Sequence, residues 1–196
     1  MAISLWQTAY LTRLEQVSVQ RLGLKTHLNM SSSQSLLEAC VPSTFTPALH
    51  GGEILAVSAA VVSNYSLSVS AQMRTNEPPI EVEDATFCNV TVTYTHPGQN
   101  DEINVEAWLP VDNYNGRMHA YGGGGWAGGR WLQTGFQMAA AMADGYATLS
   151  TDTGTGHTNP IDGSWGLLSP GNVDLFALQN MGSVALNDAV RTTANP

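Results

Sequence analysis

The chain has 196 residues, of which 43% are hydrophobic, which is enough for one domain with a sizeable core. Its 7 lysines and arginines against 16 aspartates and glutamates give a net charge of -9, so no basic surface can attract nucleic acid or an anionic membrane. The longest apolar run, Ile54 to Val62, is far shorter than the roughly 18 residues that span a bilayer. Neither nucleic acid nor a membrane is therefore expected as a partner.

The chain is predicted to divide into two parts. Residues 1–30 are a separate segment that carries none of the motifs described below, and residues 31–196 are the folded part. The segment from Met1 to Leu28 carries charged side chains and no continuous apolar core, so it contains no recognisable signal peptide. Its apolar residues recur at helical spacing, which indicates either a short amphipathic helix or, as we favour, residues that replace the authentic start in a mispredicted gene model. Ser31 to Ser35 is predicted to be a polar linker, and Ser35 to Cys40 a short helix ending before Pro42.

The chain has 2 cysteines, Cys40 and Cys88, which are too few for a structural zinc site and do not form a CxxC pair. Their number alone allows one disulfide or two thiols. N-glycosylation sequons occur at Asn29, Asn64 and Asn89, which is no more than chance produces from this composition.

Two strands are predicted by alternation. Apolar and polar residues alternate from Phe87 to Thr95 and again from Ile103 to Leu109, which ends at Pro110. The residues between them, His96 to Asp101, are typical of a turn, so the pair is expected to form an antiparallel hairpin.

The second half of the chain predicts an α/β unit. A short strand from Arg117 to Tyr121 leads into a glycine-rich loop, a helix follows from Leu132 to Asp144 with Gly145 as its cap, and Tyr146 to Thr151 forms the next strand. A right-handed parallel crossover is expected. The polar loop from Thr151 to His157 follows, and a last helix is predicted from about Val173 to Thr192. No further strand can be built before Pro196, so we expect an incomplete topology.

The glycine loop is the most informative stretch, because it places 6 glycines in the nine residues from Tyr121 to Gly129. Bare backbone N–H groups can bind an oxyanion or a phosphate, and glycines also let a helix pack closely. Gly123-x-Gly125-x-x-Gly128 matches a dinucleotide fingerprint, with Asp152 as the ribose-binding acid. This interpretation is disfavoured because the motif lies mid-chain after a hairpin and consecutive glycines match many patterns by accident.

Several motifs in register resemble the amino-terminal part of the tannase and feruloyl esterase family. They are Cys88 to Gly98, Glu106 to Pro110, Asn115 to Arg117, the glycine loop, Asp144 to Ala147, Ser150 to Gly154, Ser164 to Trp165 and Ser169 to Asn172. The resemblance runs from about Cys40 to Pro196. It implies an α/β-hydrolase fold, here incomplete, with a large lid insertion, and hydrolysis of feruloyl or galloyl esters of plant phenolics by a serine nucleophile.

The resemblance also implies what this chain lacks. The family's serine lies in a Cys-Ser-x-Gly-Gly-Arg motif, which is absent here, as is a G-x-S-x-G elbow. The catalytic triad is therefore expected beyond Pro196, with the lid and its calcium site, so no metal ligand or cofactor is assigned and the chain is expected to be inactive alone. Its partners are then a phenolic ester and the missing carboxyl-terminal part.

The resemblance places the glycine loop at the oxyanion position, with Gly124 and Gly125 as the candidate donors. Trp126, Asp152 and His157 are candidates for the substrate rim because they lie on the two loops at the expected site edge. The alternatives are packing over the glycines for Trp126, a turn former or an acceptor that orients the glycine loop for Asp152, and a solvated loop histidine for His157. The extracellular chemistry of the family implies a secreted product with Cys40 bonded to Cys88. The alternative is a non-catalytic binding or regulatory product of a truncated gene.

Overall fold

A computed structural model of the chain describes residues 32–75, 77–156 and 159–194. Its centre is a five-stranded mixed sheet with the strand order β1-β2-β3-β5-β4. These strands are β1 (Glu53–Val69), β2 (Ile80–Thr95), β3 (Ile103–Pro110), β4 (Met118–Tyr121) and β5 (Ala147–Thr151). A two-stranded sheet contains β6 (Leu167–Ser169) and β7 (Asn172–Val173). The helices are α1 (Ser32–Glu38), α2 (Leu132–Ala143), α3 (Leu175–Gln179) and α4 (Ala185–Ala194).

The two alternating segments are adjacent antiparallel strands. β2 and β3 pair from Phe87 opposite Pro110 to Tyr94 opposite Ile103, and the turn between them spans residues 96–102. β3 pairs antiparallel with β5, whereas β5 and β4 are parallel, with α2 between them in sequence. The strand, loop, helix and strand unit predicted from the sequence is therefore confirmed in order and in its parallel pairing.

Helices cover both faces of the sheet. On one face, Phe87 and Trp108 pack against α2 through Met138 and Met142. On the opposite face, Tyr94, Ile103 and Val105 pack against Ala185 and Ala189 of α4. Because side chains alternate between faces along a strand, Glu106 and Ser150 lie on the same face of the sheet as Trp108 and α2.

The α2 helix ends as predicted. Gly145 has φ +90°, and its N–H donates to the Met142 carbonyl while the Tyr146 N–H donates to the Ala141 carbonyl. This pair of bonds is a Schellman motif, which needs a left-handed residue after the helix, and glycine takes that conformation without strain.

The amino-terminal predictions need correction. α1 begins at Ser32, inside the predicted linker, and ends at Glu38 rather than Cys40. β1 was not predicted, and β2 begins at Ile80, seven residues before the predicted start. β1 escaped detection because it is a sheet edge with three register shifts against β2, so its exposed and half-buried residues do not alternate regularly. The proposed helix within Met1 to Leu28 lies outside the described residues.

The last helix is also not continuous. Val173 belongs to β7, and α3 begins after Asp174, whose side chain accepts the Ala177 N–H at 3.0 Å as a helix cap. A π-helical turn, Asn180–Val184, separates α3 from α4. The wider turn inserts an additional residue, which changes the face that the helix presents to the sheet. Among the described residues, no helix is long and apolar enough to cross a membrane.

Candidate functional site

The glycine loop lies between the end of β4 and the start of α2. β4 and β5 are parallel, so their carboxyl ends meet at one edge of the sheet, where open α/β sheets bind ligands. The polar loop that begins at Asp152 leaves β5 at the same edge. The structure therefore brings the two loops that the sequence singled out to one place.

The loop requires glycine for close backbone contacts. A Cβ at Gly123 would overlap the Ala127 carbonyl, and one at Gly128 would overlap the Thr153 hydroxyl. A Cβ at Gly129 would overlap the Thr151 carbonyl. The bare backbone in the second half of the loop is thus packed directly on the end of β5.

Gly124 to Ala127 form a tight turn. The Ala127 N–H donates to the Gly124 carbonyl at 3.1 Å, and the Trp126 N–H donates to the Pro160 carbonyl at 2.8 Å. Gly125 has φ +60°, and a Cβ there would overlap the Pro160 carbonyl, whereas one at Gly124 would meet only the Trp131 ring at 3.7 Å. Gly124 and Ala127 also face each other as an isolated antiparallel bridge, whereas the Gly125 N–H takes part in neither of these two bonds.

Arg130, which was not among the predicted site residues, fixes the end of the loop. Its backbone is left-handed at φ +49°, and its N–H donates to the Ser150 hydroxyl at 3.1 Å. Its guanidinium donates from Nε to Glu106 Oε2 at 2.9 Å and lies 3.6 Å from Asp152 Oδ2. The only signal in the sequence is an arginine directly after a glycine run, because its partners come from β3 and β5.

Both carboxylates are held by further donors. Glu106 Oε1 accepts the Trp108 indole N–H at 2.8 Å and the Asn89 side-chain amide at 3.1 Å. Asp152 accepts the Asn104 backbone and side-chain N–H groups at 2.9 and 2.8 Å, and the Gly154 N–H at 2.9 Å. Asp152, a predicted rim residue, therefore points into the protein and braces the β5 end.

The surface at the turn carries two aromatic side chains. Trp126 is 49% exposed, and its ring meets Trp165 edge to face with centroids 6.1 Å apart. The Trp165 indole N–H donates to the Trp126 carbonyl at 3.1 Å, which ties the turn to residues 164–166. Trp126 is thus at the surface beside the turn, while His157 lies outside the described residues.

A second polar cluster, also missed, surrounds His96 at the β2–β3 turn. His96 Nδ1 lies 2.6 Å from Asp101 Oδ2, and Nε2 lies 3.1 Å from Asp188 Oδ2 on α4. Asn180 of the π-helical turn donates to Asp101 at 2.9 Å. Burial disfavours the charged imidazolium, but the hydrogen bonds and charges of Asp101 and Asp188 outweigh it and raise the pKa of His96.

The pKa values of Asp101 and Tyr94, which lie beside His96, are shifted as well. Burial works to raise the pKa of Asp101, but the bonds from His96, Asn180 and Thr95 outweigh it and lower that pKa. Burial raises the pKa of Tyr94, whose ring meets His96 edge to face, and the charges of Asp188, Asp101 and Asp152 add to the effect. The carboxylates bracket the imidazole from two sides, so the cluster ties α4 to the hairpin.

The predicted disulfide is present: Cys40 and Cys88 are bonded, with Cα atoms 5.7 Å apart, and join the segment after α1 to the centre of β2. In the described part of the chain, no group of three or more histidine, cysteine, aspartate or glutamate side chains could hold a metal ion.

Comparison with known proteins places these features in a family. A family model described as tannase and feruloyl esterase matches residues 88–194. A probable feruloyl esterase of Arthroderma benhamiae is 39% identical over 103 residues, which are 52% of this chain and 19% of that protein. The solved structure of a tannin acyl hydrolase from Aspergillus niger matches with a TM-score of 0.58 and 27% identity, over 81% of this chain and 27% of that one. The chain thus covers 19% of one relative and 27% of the other.

Proposed function

The chain belongs to the tannase and feruloyl esterase family, and from this membership we propose that it is the amino-terminal part of a serine carboxylic ester hydrolase that acts on feruloyl or galloyl esters. The observation that supports the proposal is the glycine loop between β4 and α2, with its tight turn at Gly124 to Ala127. In α/β-hydrolases, the loop after the third strand supplies one N–H of the oxyanion hole.

The loop would act on the tetrahedral intermediate. When a serine oxygen attacks the ester carbon, the carbonyl oxygen becomes negatively charged, and N–H groups already in place stabilise that charge without reorganising. Gly124 and Gly125 are the proposed donors. Removing one such donor costs about 3–4 kcal/mol of transition-state stabilisation in serine hydrolases, so a turn fixed at Pro160 and at the β5 end has a catalytic reason to be rigid.

The nucleophile is proposed to come from sequence outside residues 1–196. The sequence contains neither a Cys-Ser-x-Gly-Gly-Arg nor a G-x-S-x-G motif, and it covers only 19% and 27% of its two relatives. Ser150 is fully buried and accepts the Arg130 N–H, which makes it a structural residue. The chain alone would then be inactive, and calcium, if required, would bind to the lid outside it.

The substrate class follows from the family and from the rim. Trp126 presents an exposed aromatic ring beside the proposed oxyanion turn, which suits the flat ring of a phenolic acyl group. An extracellular location is proposed on the same basis, since plant phenolic esters lie outside the cell that consumes them. The polar partners of Asp152 favour this proposal over a dinucleotide site, because its oxygens are already engaged with Asn104 and Gly154.

The experiment compares a longer protein that carries this segment with the 196-residue chain, using methyl ferulate and methyl gallate. The longer protein should hydrolyse at least one ester, and Gly125→Ala should lower its kcat by about 100-fold or more, the usual loss when one oxyanion donor fails. Gly122→Ala is the matched control, because a Cβ at Gly122 meets nothing within 4 Å.

A fluorophosphonate probe tests the missing nucleophile. The 196-residue chain should show no serine labelling above that of denatured protein. Labelling of Ser150, Ser164 or Ser169 would show that the chain has its own nucleophile. A folded longer protein that binds methyl ferulate without hydrolysing either ester would instead support the non-catalytic alternative.

A further inference from the structure

Two of the three N-glycosylation sequons fall within the described residues, and the structure gives them opposite environments. Asn64-Tyr65-Ser66 lies on β1, and Asn89-Val90-Thr91 lies on the neighbouring strand β2. The sequence alone cannot tell which of the two is modified, because both satisfy the same Asn-x-Ser/Thr pattern. The sequon at Asn29 lies outside the described residues.

Asn64 is presented to solvent. It is exposed and left-handed at φ +56°, at the point where the β1–β2 register shifts between Val62 and Tyr65. Asparagine is among the few residues that tolerate this conformation. The Tyr65 ring packs inward, edge to face with Phe87 and Trp108 at centroid distances of 5.5 and 5.7 Å. With Tyr65 anchored inward, the side chains on either side of it, Asn64 and Ser66, are left exposed to solvent.

The Asn64 amide also has no competing structural role. None of the hydrogen bonds found within residues 32–75, 77–156 and 159–194 uses its side chain. The Ser66 hydroxyl accepts the Asp84 N–H at 3.0 Å, which holds the third sequon position in place. A sugar on Asn64 would therefore break no contact of the described fold.

Asn89 differs at the atom that matters. Its Nδ2, which would carry the sugar, donates to Glu106 Oε1 at 3.1 Å, and the residue is half-buried in the centre of the sheet. A sugar there would have to displace Glu106, which also binds Trp108 and Arg130. Modification of Asn89 would therefore disrupt the contacts that hold the end of the glycine loop.

The surface around Asn64 needs protection. β1 is the edge of the sheet, it is 17 residues long, and it exposes Leu55 and Val61 at 49% and 42%. A long edge strand with exposed apolar side chains is a template for pairing with another chain. A bulky, hydrated glycan in the middle of such a strand would block that pairing.

We propose that Asn64 is an N-glycosylation site whose glycan shields the β1 edge, and that Asn89 stays unmodified. The inference rests on the proposed secretion and not on ester hydrolysis. Asn64 Nδ2 forms a bond to the anomeric carbon of an oligosaccharide carried on a lipid diphosphate. The bond from that carbon to the diphosphate oxygen breaks, the lipid diphosphate leaves, and one amide proton is lost to solvent.

The test sends the full chain through the secretory pathway of a yeast host behind the host's own secretion leader. Enzymatic release of glycans in heavy-oxygen water converts each occupied asparagine to a labelled aspartate, and peptide mass spectrometry locates it. We expect the label at Asn64 and not at Asn89. Asn64→Gln should abolish the label on this peptide, whereas Ser66→Thr, which keeps the sequon and the hydroxyl, should retain it.

The shielding role has its own readout. Secreted Asn64→Gln protein should aggregate faster than the glycosylated chain, and Asn64→Gln with Leu55→Lys and Val61→Lys should regain solubility. Secreted chain with an unmodified Asn64 peptide, or with a labelled Asn89 peptide, overturns the assignment. Equal aggregation of Asn64→Gln and glycosylated protein overturns the shielding role alone. Neither result bears on whether the longer protein hydrolyses phenolic esters. A failure of the glycosylation proposal is therefore distinguishable from a failure of the proposed function.

Discussion

Arg130 takes a left-handed backbone conformation that costs an arginine free energy, and it keeps that conformation through contacts on two strands. Its guanidinium, Glu106 and Asp152 are 27%, 19% and 18% exposed, so these charges are partly desolvated. Loss of the cation would leave both carboxylates, Glu106 and Asp152, without this counter-charge. Arg130 is therefore a positioning residue for the glycine loop.

Arg130→Met should lower the free energy of unfolding by about 1–3 kcal/mol, the usual cost of leaving a buried partner unsatisfied. It should also speed hydrogen exchange of the loop amides from Gly122 to Gly129. The stability and exchange rates of Arg130→Lys should lie between those of the unsubstituted protein and Arg130→Met, because an ammonium group keeps the charge but cannot reproduce the planar fork. The matched control is Arg117→Met, which alters an exposed arginine outside this cluster. Equal exchange in the Arg130 and Arg117 variants would contradict the role.

At the scale of elements, the His96 cluster joins three of them. Asp101 lies on the β2–β3 turn, Asn180 on the π-helical turn and Asp188 on α4. The π-helical turn places Asn180 against Asp101, while Ala185 and Ala189 of the following helix pack on the sheet. Charge on His96 therefore controls how firmly α4 is held.

The sign of the pH dependence follows from the two shifts. The raised pKa of His96 adds stability that is fully present below its ordinary pKa of about 6.5 and is lost as the pH rises through the folded value. The lowered pKa of Asp101 adds stability that is present above its ordinary value and is lost as the pH falls through the folded value. Tyr94, with its raised pKa, stays neutral across this range.

The melting temperature should therefore fall as the pH is raised from 6 upward, and calorimetry across that range measures the slope. His96→Gln should flatten the slope and lower the melting temperature at pH 6, and Asp188→Asn should do so in part. His50→Gln is the control, because His50 is exposed and makes none of these bonds. A slope unchanged in His96→Gln would rule out this cluster as its source.

The same elements show what the sequence can predict. The central part of β2, together with β3, β5 and α2, follows from local periodicity and from turn and cap residues, which is why these elements lie close to their predicted positions. β1 does not, because its register shifts against β2 break the alternation. The π-helical turn and the Arg130 contacts depend on residues far apart in the chain, such as Asn180 and Asp101. The glycine loop was visible from composition, but its packing on β5 was not.

At the scale of the whole molecule, the disulfide closes a long loop. Cys40 and Cys88 are separated by 48 residues, so the bond restricts the unfolded chain and should contribute about 4 kcal/mol to stability. The double variant Cys40→Ser with Cys88→Ser should lose about this amount in urea unfolding, and reductant should destabilise only the unsubstituted chain. Complete alkylation of both cysteine peptides without reductant, in protein from an oxidising host, would contradict the bond.

Exposed apolar side chains are concentrated between residues 167 and 176. β6, β7 and α3 expose five large apolar side chains within ten residues, which are Leu167, Leu168, Val173, Leu175 and Phe176. Contiguous apolar surface is uncommon on soluble monomers and marks an interaction site or an aggregation liability. The 196-residue chain expressed alone should therefore bind a hydrophobic dye and self-associate.

Leu168→Ser combined with Leu175→Ser should reduce dye fluorescence and self-association while leaving the melting temperature within about 1 °C, since exposed side chains contribute little to folding stability. Leu132→Ser is the matched control, because Leu132 is as exposed, at 75%, but lies at the start of α2. Fluorescence titration and light scattering measure the two effects. A monomer that melts cooperatively and binds little dye would contradict the prediction, because these five side chains would then not form a continuous apolar surface in solution.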